Sequence, residues 1–278
     1  MGKIGVGVVG CGLNGRRHAE LYNAMEEVDL IGCCDTVPDV AERVAGKHGV
    51  KAFTRVEDLV NDPAVDAVSI VTPANAHCEP AVIAAKSGKH ILAELPMAIS
   101  LEECDRMIDA ADTTGVNLMY AQVNRFMPAN AKAKTLIDDG EIGDVVWITH
   151  TRMGPNGWGM PRPDRWSRWR ESGGGFTIYE GPHYFDDFRW FSNSDFDTVY
   201  SVGMRCNVSG GDGEDNAIGG FKLKSGGFGV ILEGTSNPGA RRDDYRIVGT
   251  KGMIEIIDPE INPILRIAKE TSHSRGEW

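Results

Sequence analysis

Near the N-terminus, Gly10-Cys11-Gly12-Leu13-Asn14-Gly15 forms a G-x-G-x-x-G run that constrains the backbone more than any other stretch of the chain. Ahead of it, Ile4, Val6 and Val8 alternate like a strand entering a core; behind it, Ala19, Leu21, Tyr22 and Met25 recur at helical spacing. Glycines at such a strand-to-helix turn let the chain bend sharply and bring backbone N–H groups and a helix N-terminus against a pyrophosphate. A second apolar run, Leu30 to Cys34, ends in Asp35. An acid there accepts hydrogen bonds from ribose hydroxyls and repels a 2′-phosphate, so NAD is the expected cofactor and NADP is disfavoured. In a chain with 34 glycines the run alone is weak. The order strand, turn, helix, strand, acid gives it weight.

Strand and helix patterns then alternate as far as Phe126. Thr36-Val37-Pro38-Asp39 and Thr54-Arg55-Val56-Glu57 read as helix starts, and Ala67 to Val71 reads as a fully buried strand running into Thr72-Pro73. A helix is expected over 76–87, a strand over His90 to Ala93 ending at Glu94-Leu95-Pro96, a helix capped by Ser100, and a last strand over 116–121. This alternation specifies an α/β fold with a doubly wound Rossmann domain over 1–125. Ligands of such sheets bind at the carboxyl ends of the strands. The cofactor candidates are therefore Gly10, Gly12, Leu13, Asn14, Gly15, Asp35, Thr72, Pro73, Glu94 and Asn124, with Arg125 on the same floor.

Beyond Phe126 the rhythm changes. One helix, 130–139, precedes alternating strands beginning at Val145 and recurring at 197–206, 215–224, 227–235, 243–249 and 252–257. A single long helix, 176–191, follows Gly173-Gly174-Gly175. The region 126–278 is expected to be an α+β domain with an open, mainly antiparallel sheet.

The formal net charge of -11 argues against nucleic acid or an anionic membrane as partner, and no apolar run approaches the length of a membrane span. The strand pattern starts almost at once, leaving no room for a signal peptide. Six cysteines without a C-x-x-C pair are expected to be reduced core thiols of a cytoplasmic protein, and no metal site is expected.

Several short motifs together resemble the Gfo/Idh/MocA family of oxidoreductases: Val9 to Gly12, Thr72 to His77, Ala93 to Ala98, Asn124-Arg125-Phe126 with Pro128, and Gly173 to Gly175 followed by Gly181-Pro182-His183 with Asp186. The resemblance covers nearly the whole chain. It implies an N-terminal NAD domain, a C-terminal sheet that covers the nicotinamide and builds a homo-oligomer interface, and oxidation of a small-molecule sugar or polyol hydroxyl. It also implies that Glu94 contacts the nicotinamide ribose; His77 is expected to cap its helix. Two positions depart from the family pattern. Its usual Glu-Lys-Pro is Glu94-Leu95-Pro96, and its usual aspartate four residues before the histidine is Tyr179, beside Glu180. Hydride removal from an alcohol needs a base within reach of its proton. The candidates are His183, Tyr179 and Asp187, spaced to share one helix face, with Glu180 and Asp186 as substrate contacts.

The loop 154–170 carries Trp158, Pro161, Arg162, Pro163, Asp164, Arg165, Trp166, Arg168, Trp169 and Arg170. It suits an aromatic platform with an arginine anion site, Trp169 and Arg170 foremost, or else a lid whose arginines pair with the protein's own acids. The polar stretch 271–277 ends short of the family's usual length, as a shortened member or a fragment would. Two functions compete with a dehydrogenase: a redox-neutral, NAD-retaining glycosidase, lyase or epimerase, and a non-catalytic nucleotide or sugar binder.

Overall fold

The computed structural model describes residues 2–155, 165–206, 210–236, 239 and 241–269. The chain divides into two compact units, Met1–Ala121 with Glu171–Gly173, and Gln122–Arg170 with Gly174–Trp278.

The first unit runs β1 (Ile4–Val9), α1 (Leu13–Ala24), β2 (Val28–Cys34), α2 (Pro38–His48), β3 (Lys51–Phe53), α3 (Val56–Val60), β4 (Ala67–Ile70), α4 (Cys78–Lys86), β5 (His90–Ala93), α5 (Leu101–Thr114) and β6 (Leu118–Tyr120). Every strand pairing is parallel, in the order β3-β2-β1-β4-β5-β6. This is the doubly wound order, with the switch between β1 and β4 where a dinucleotide binds. Neighbouring residues of β1 feed opposite cores. Val8 packs with Ala19, Leu30 and Val44 beneath α1 and α2, whereas Val9 joins Val68, Ile70, Ala81, Ile91 and Met107.

Helix starts differ from the sequence expectation in instructive ways. Ser100 does cap α5, accepting from the Glu103 N–H at 3.2 Å while Glu103 reaches back to the Ile99 N–H. Thr36 and Thr54 cap nothing: α2 starts behind Val37 and α3 behind Arg55, with no side-chain cap. For α2 the reason is Pro38, whose fixed φ sets the first helical residue itself. The expected helix at 76–87 begins at Cys78, after a 3₁₀ turn at Ala74–Ala76, and the strand at 116–121 shrinks to β6.

The second unit contains α6 (Pro128–Asp138), β7 (Val145–Met153), α7 (Phe176–Tyr179), α8 (Gly181–Ser192), β8 (Phe196–Met204), β9 (Asn216–Leu223), β10 (Phe228–Gly234), β11 (Arg242–Gly249), β12 (Gly252–Ile257) and β13 (Ile264–Lys269). Its seven strands lie in the order β13-β12-β11-β7-β10-β9-β8. All pairings are antiparallel except β7 with β10, where Trp147 to Met153 run beside Phe228 to Gly234. The core lies between one sheet face and α6 and α8, with Phe188, Phe191, Phe221, Ile148 and Ile247 fully or almost fully buried. Gly229 makes room for Phe188, since a Cβ there would lie 2.3 Å from its ring.

The single helix expected over 176–191 is broken. Pro182 has no N–H to return to the carbonyl four residues back, so the helix stops at Tyr179 and restarts at Gly181. Tyr179 therefore does not continue the face that carries His183 and Asp187.

Of the six cysteines, Cys11, Cys33, Cys34 and Cys78 are buried, Cys104 is half-buried and Cys206 is exposed rather than in the core. Among the described residues no helix is long and apolar enough to cross a membrane. Phe188→Ala empties a site with no solvent contact and should cost about 3–5 kcal/mol, measurable as a lower urea midpoint with unchanged slope.

Candidate functional site

In the first unit the glycine turn is shaped by contacts that exclude side chains. Gly10 sits at φ 94°, where a Cβ would lie 2.7 Å from the Val71 carbonyl oxygen, and a Cβ on Gly15 would lie 1.8 Å from the Gly10 oxygen. Gly12 is different: a Cβ there meets nothing within 4 Å, and no side chain caps α1. The first N–H groups of α1 thus adjoin open space of the kind a pyrophosphate fills. Leu13 is exposed and Asn14 lies beside it at the helix start. Asp35 accepts from the Cys11 N–H at 2.9 Å through one oxygen and from the Val37 N–H at 3.0 Å through the other, so it braces the turn. A carboxylate has about four lone-pair sites, which leaves acceptor capacity on both oxygens for ribose hydroxyls.

Two loops at the carboxyl ends of β4 and β5 complete this edge. The Thr72 hydroxyl donates to the Ala76 carbonyl at 2.9 Å, and Pro73 precedes the 3₁₀ turn. His77 occupies the residue before α4 but makes no side-chain cap. Its ring nitrogens instead lie 2.8 Å from the Thr72 carbonyl and 2.9 Å from that of Pro96, tying the loops together. Glu94 is not a solvated strand-end acid. Its Oε1 lies 2.9 Å from His18 Nε2, its Oε2 accepts from the Leu95 N–H at 3.3 Å, and only a fifth of the side chain is exposed. Leu95, in the position of the family lysine, is buried.

The second unit holds a row of buried polar groups beneath α8. Strand pairing sets Asp243 on β11 beside Arg152 on β7 and Glu233 on β10, with Tyr245 and His150 one step along the same face. Arg152 and His150 both bind Asp243, the latter at 2.9 Å, and Arg241 adds a third partner at 3.0 Å. Burial pushes the Asp243 carboxyl up, but the His150 hydrogen bond and the two arginines outweigh it and hold it below the usual range. Burial likewise pulls His150 down.

Asp187 lies in this interior. It has no solvent exposure, and its Oδ2 accepts from Asn124 Nδ2 at 2.7 Å and from the Tyr245 hydroxyl. Burial pushes its carboxyl up to about 7. Asn124, expected at the cofactor floor, thus belongs to the second unit and serves Asp187. Glu233 is also pushed up to about 7 by burial, with Glu180 and Glu214 adding to the rise.

The remaining candidates are brought together in pairs. Arg125 forms a two-pronged bond with Asp186 at 2.6 and 2.8 Å and lies over Trp190. Glu180 accepts from the Tyr184 hydroxyl at 3.1 Å and lies 3.7 Å from Arg152. His183, half-buried in the first turn of α8, donates its backbone N–H to the Glu180 carbonyl. Tyr179 accepts from Arg165 at 3.2 Å, and the Trp166 ring meets it edge-on. Arg170 pairs with Glu214 at 3.0 Å and donates its backbone N–H to the Asp212 carboxylate and its Nε to the Asp212 carbonyl, while Trp169 is 40% exposed. Trp158, Pro161, Arg162, Pro163, Asp164 and the stretch 271–277 lie outside the described residues. Among those described, no cluster of three or more His, Cys, Asp or Glu side chains fits a metal ion.

What sequence reasoning missed is His18 and the Arg152, Asp243 and Glu233 row. His18 stands one helical turn after Gly15, a spacing that puts it on the face turned to the sheet.

A parallel sheet in this strand order with a glycine turn, a bracing acid and an open helix N-terminus defines a dinucleotide-binding oxidoreductase fold. Comparison with known proteins makes it specific. Residues 4–122 match the oxidoreductase family with an NAD-binding Rossmann fold, and residues 130–255 match the Gfo/Idh/MocA C-terminal domain. The chain belongs to the Gfo/Idh/MocA family, and its cofactor is NAD. It is 30% identical to the 2,7-anhydro-N-acetylneuraminate hydratase of Escherichia coli over 97% of this chain and 72% of that one. It is 28% identical to the myo-inositol 2-dehydrogenase of Thermotoga maritima over 90% and 74%. The WlbA dehydrogenase of Bordetella pertussis, solved with NADH and UDP-GlcNAcA, superposes with a TM-score of 0.89 at 25% identity, over 98% of this chain and 79% of that one.

The raised Asp187 carboxyl has a consequence for stability. Below about pH 4 it is protonated in both folded and unfolded chains; from about 4 to 7 the unfolded chain releases a proton that the folded one keeps. Its contribution therefore becomes less favourable as pH rises through that window. Asp187→Asn cannot ionise, so its melting temperature relative to wild type should rise between pH 5 and pH 8, by an amount equivalent to roughly 2–4 kcal/mol. A constant difference across that range would contradict an ionisable, proton-holding Asp187.

Proposed function

We propose that the chain is an NAD-dependent dehydrogenase that oxidises a hydroxyl of a sugar, polyol or sugar derivative. The observation that carries this reading is the Rossmann edge built by Gly10, Gly12, Gly15, Asp35 and Glu94, joined to relatives named for inositol oxidation. Leu13, Asn14, Thr72 and Pro73 complete the cofactor contacts. NAD bound there supplies the hydride acceptor, and the hydroxyl proton must be taken by the protein or by water. Leu95 has no donor or acceptor on its side chain, so the proton falls to other groups. His183 is the candidate best suited by chemistry, because an imidazole is the side chain fitted to proton transfer and this one is half-buried. Tyr179 is the second candidate for the proton and Glu180 a substrate contact, and Arg125 with Asp186 forms a hydrogen-bonding pair for sugar hydroxyls.

A redox-neutral reaction is the second reading, favoured by Leu95 and by the likeness to a hydratase over 97% of the chain. It would oxidise its sugar transiently and return the hydride. Assembly as a homo-oligomer is supported by the outer sheet face, where Val202, Ile218 and Leu232 lie in register and stand 42–47% exposed beside Tyr200 and Met204. The buried reduced thiols are in keeping with a cytoplasmic protein.

Incubation with NAD and a panel of inositols, sugars, uronates and anhydro sugars, following reduced nicotinamide and substrate loss together, tests the reading. The expected result is equal rise and loss, with His183→Ala lowering kcat by about 10²- to 10⁴-fold. Substrate loss without reduced nicotinamide establishes the second reading, and no turnover with any class overturns both.

A further inference from the structure

We infer that His18 is a positioning residue: held by Ser69 and Tyr22, it fixes the Glu94 carboxylate at the carboxyl end of β5 in the orientation that accepts ribose hydroxyls of the cofactor. This deepens the proposed cofactor role of Glu94 and rests on it.

The absence of a side chain on Gly15 lets α1 approach the Gly10 carbonyl, and one turn later the His18 side chain reaches past β1 to Ser69 on β4 and Glu94 after β5. There Nδ1 lies 2.8 Å from Ser69 Oγ and Nε2 lies 2.9 Å from Glu94 Oε1. The Tyr22 ring meets the imidazole edge-on at 6.0 Å. The ring is thus held on three sides by two elements of the sheet and its own helix. The side chains of His18 and Glu94 are 17% and 20% exposed, too sheltered to be a screened surface pair.

Proton positions follow from the acceptors. An ionised Glu94 only accepts, so Nε2 carries a proton, and a neutral imidazole then accepts at Nδ1 from the Ser69 hydroxyl. Glu94 is fixed at both oxygens, by His18 on Oε1 and by the Leu95 N–H on Oε2. It needs no reorganisation to receive a further donor. The titratable groups facing His18 are Tyr22 from α1 and Glu94 from the end of β5, and Ser69 faces it from β4.

Amide replacements separate position from mere bulk. In glutamine the amide nitrogen falls near the place of Nε2, and in asparagine near that of Nδ1. NAD titration by calorimetry should give His18→Gln within about 3-fold of wild type, and His18→Asn and His18→Ala each weaker by about 10-fold, the loss of about one hydrogen bond. Imidazole ¹⁵N spectra of the cofactor-free protein should show His18 as the Nε2–H tautomer, shifting in Ser69→Ala and in Glu94→Gln. Equal NAD affinity across wild type and the three His18 variants overturns the inference. So does an equal loss in all three that follows their melting temperatures, because that is a packing role. A wild-type protein that binds NAD with this pattern but turns over no sugar or polyol defeats the dehydrogenase reading and leaves the positioning role standing.

Discussion

Between α1 and β1 there is no room for a single carbon atom. The Gly10 oxygen stands where a Cβ of residue 15 would be, and that closeness sets the distance from helix to sheet for the whole edge of the first unit. It brings the open start of α1 beside Asp35, which is itself bonded to the turn through Cys11. The same closeness lets a histidine one turn further along span β1 and meet groups on β4 and β5. The cofactor edge is therefore one packing solution rather than a collection of motifs: turn, acid, histidine and glutamate each depend on the helix lying where it does.

The second unit is organised by the opposite problem, too much charge in too little water. Arg152, Asp243, His150 and Glu233 are buried inside the sheet-helix layer, with Glu180 at its edge, and isolated charges there are costly. The structure resolves this by unequal sharing. Asp243 takes three cationic or proton-donating partners and stays ionised, while Asp187 and Glu233 are left to hold protons near neutrality. Such a layer specifies its geometry closely, because every partner removed leaves another group buried without compensation.

Much of this was legible in the residues. The alternation of Ile4, Val6 and Val8, the glycine run and Asp35 gave the Rossmann domain, and Ser100 with Glu103 gave the start of α5. The broken helix at Pro182 could have been read from the proline itself, but the i, i+4 spacing of Tyr179 and His183 pointed the other way, and steric exclusion won over spacing. His18 and Glu94 are 76 residues apart, and nothing local to either reveals the other. Glu233 was illegible for a different reason: strand alternation marks its position as inward, yet inward positions are read as apolar. Periodicity also says nothing about which strands are neighbours, so the parallel pairing of β7 with β10 appears only in the fold.

That pairing bears on how the second unit is made. The central strand β7 emerges early from the ribosome, but its two neighbours, β10 and β11, are the third and fourth strands to follow it. The β8–β9–β10 meander can zip up locally while β7 waits with both edges unpaired and Ile148 uncovered. Closing the sheet then requires capture of a distant strand, a step of high contact order. High contact order makes the insertion of β7 into a half-built sheet the slow event in forming this unit, and a nascent chain halted before β11 would leave one edge of β7 unpaired and open to association.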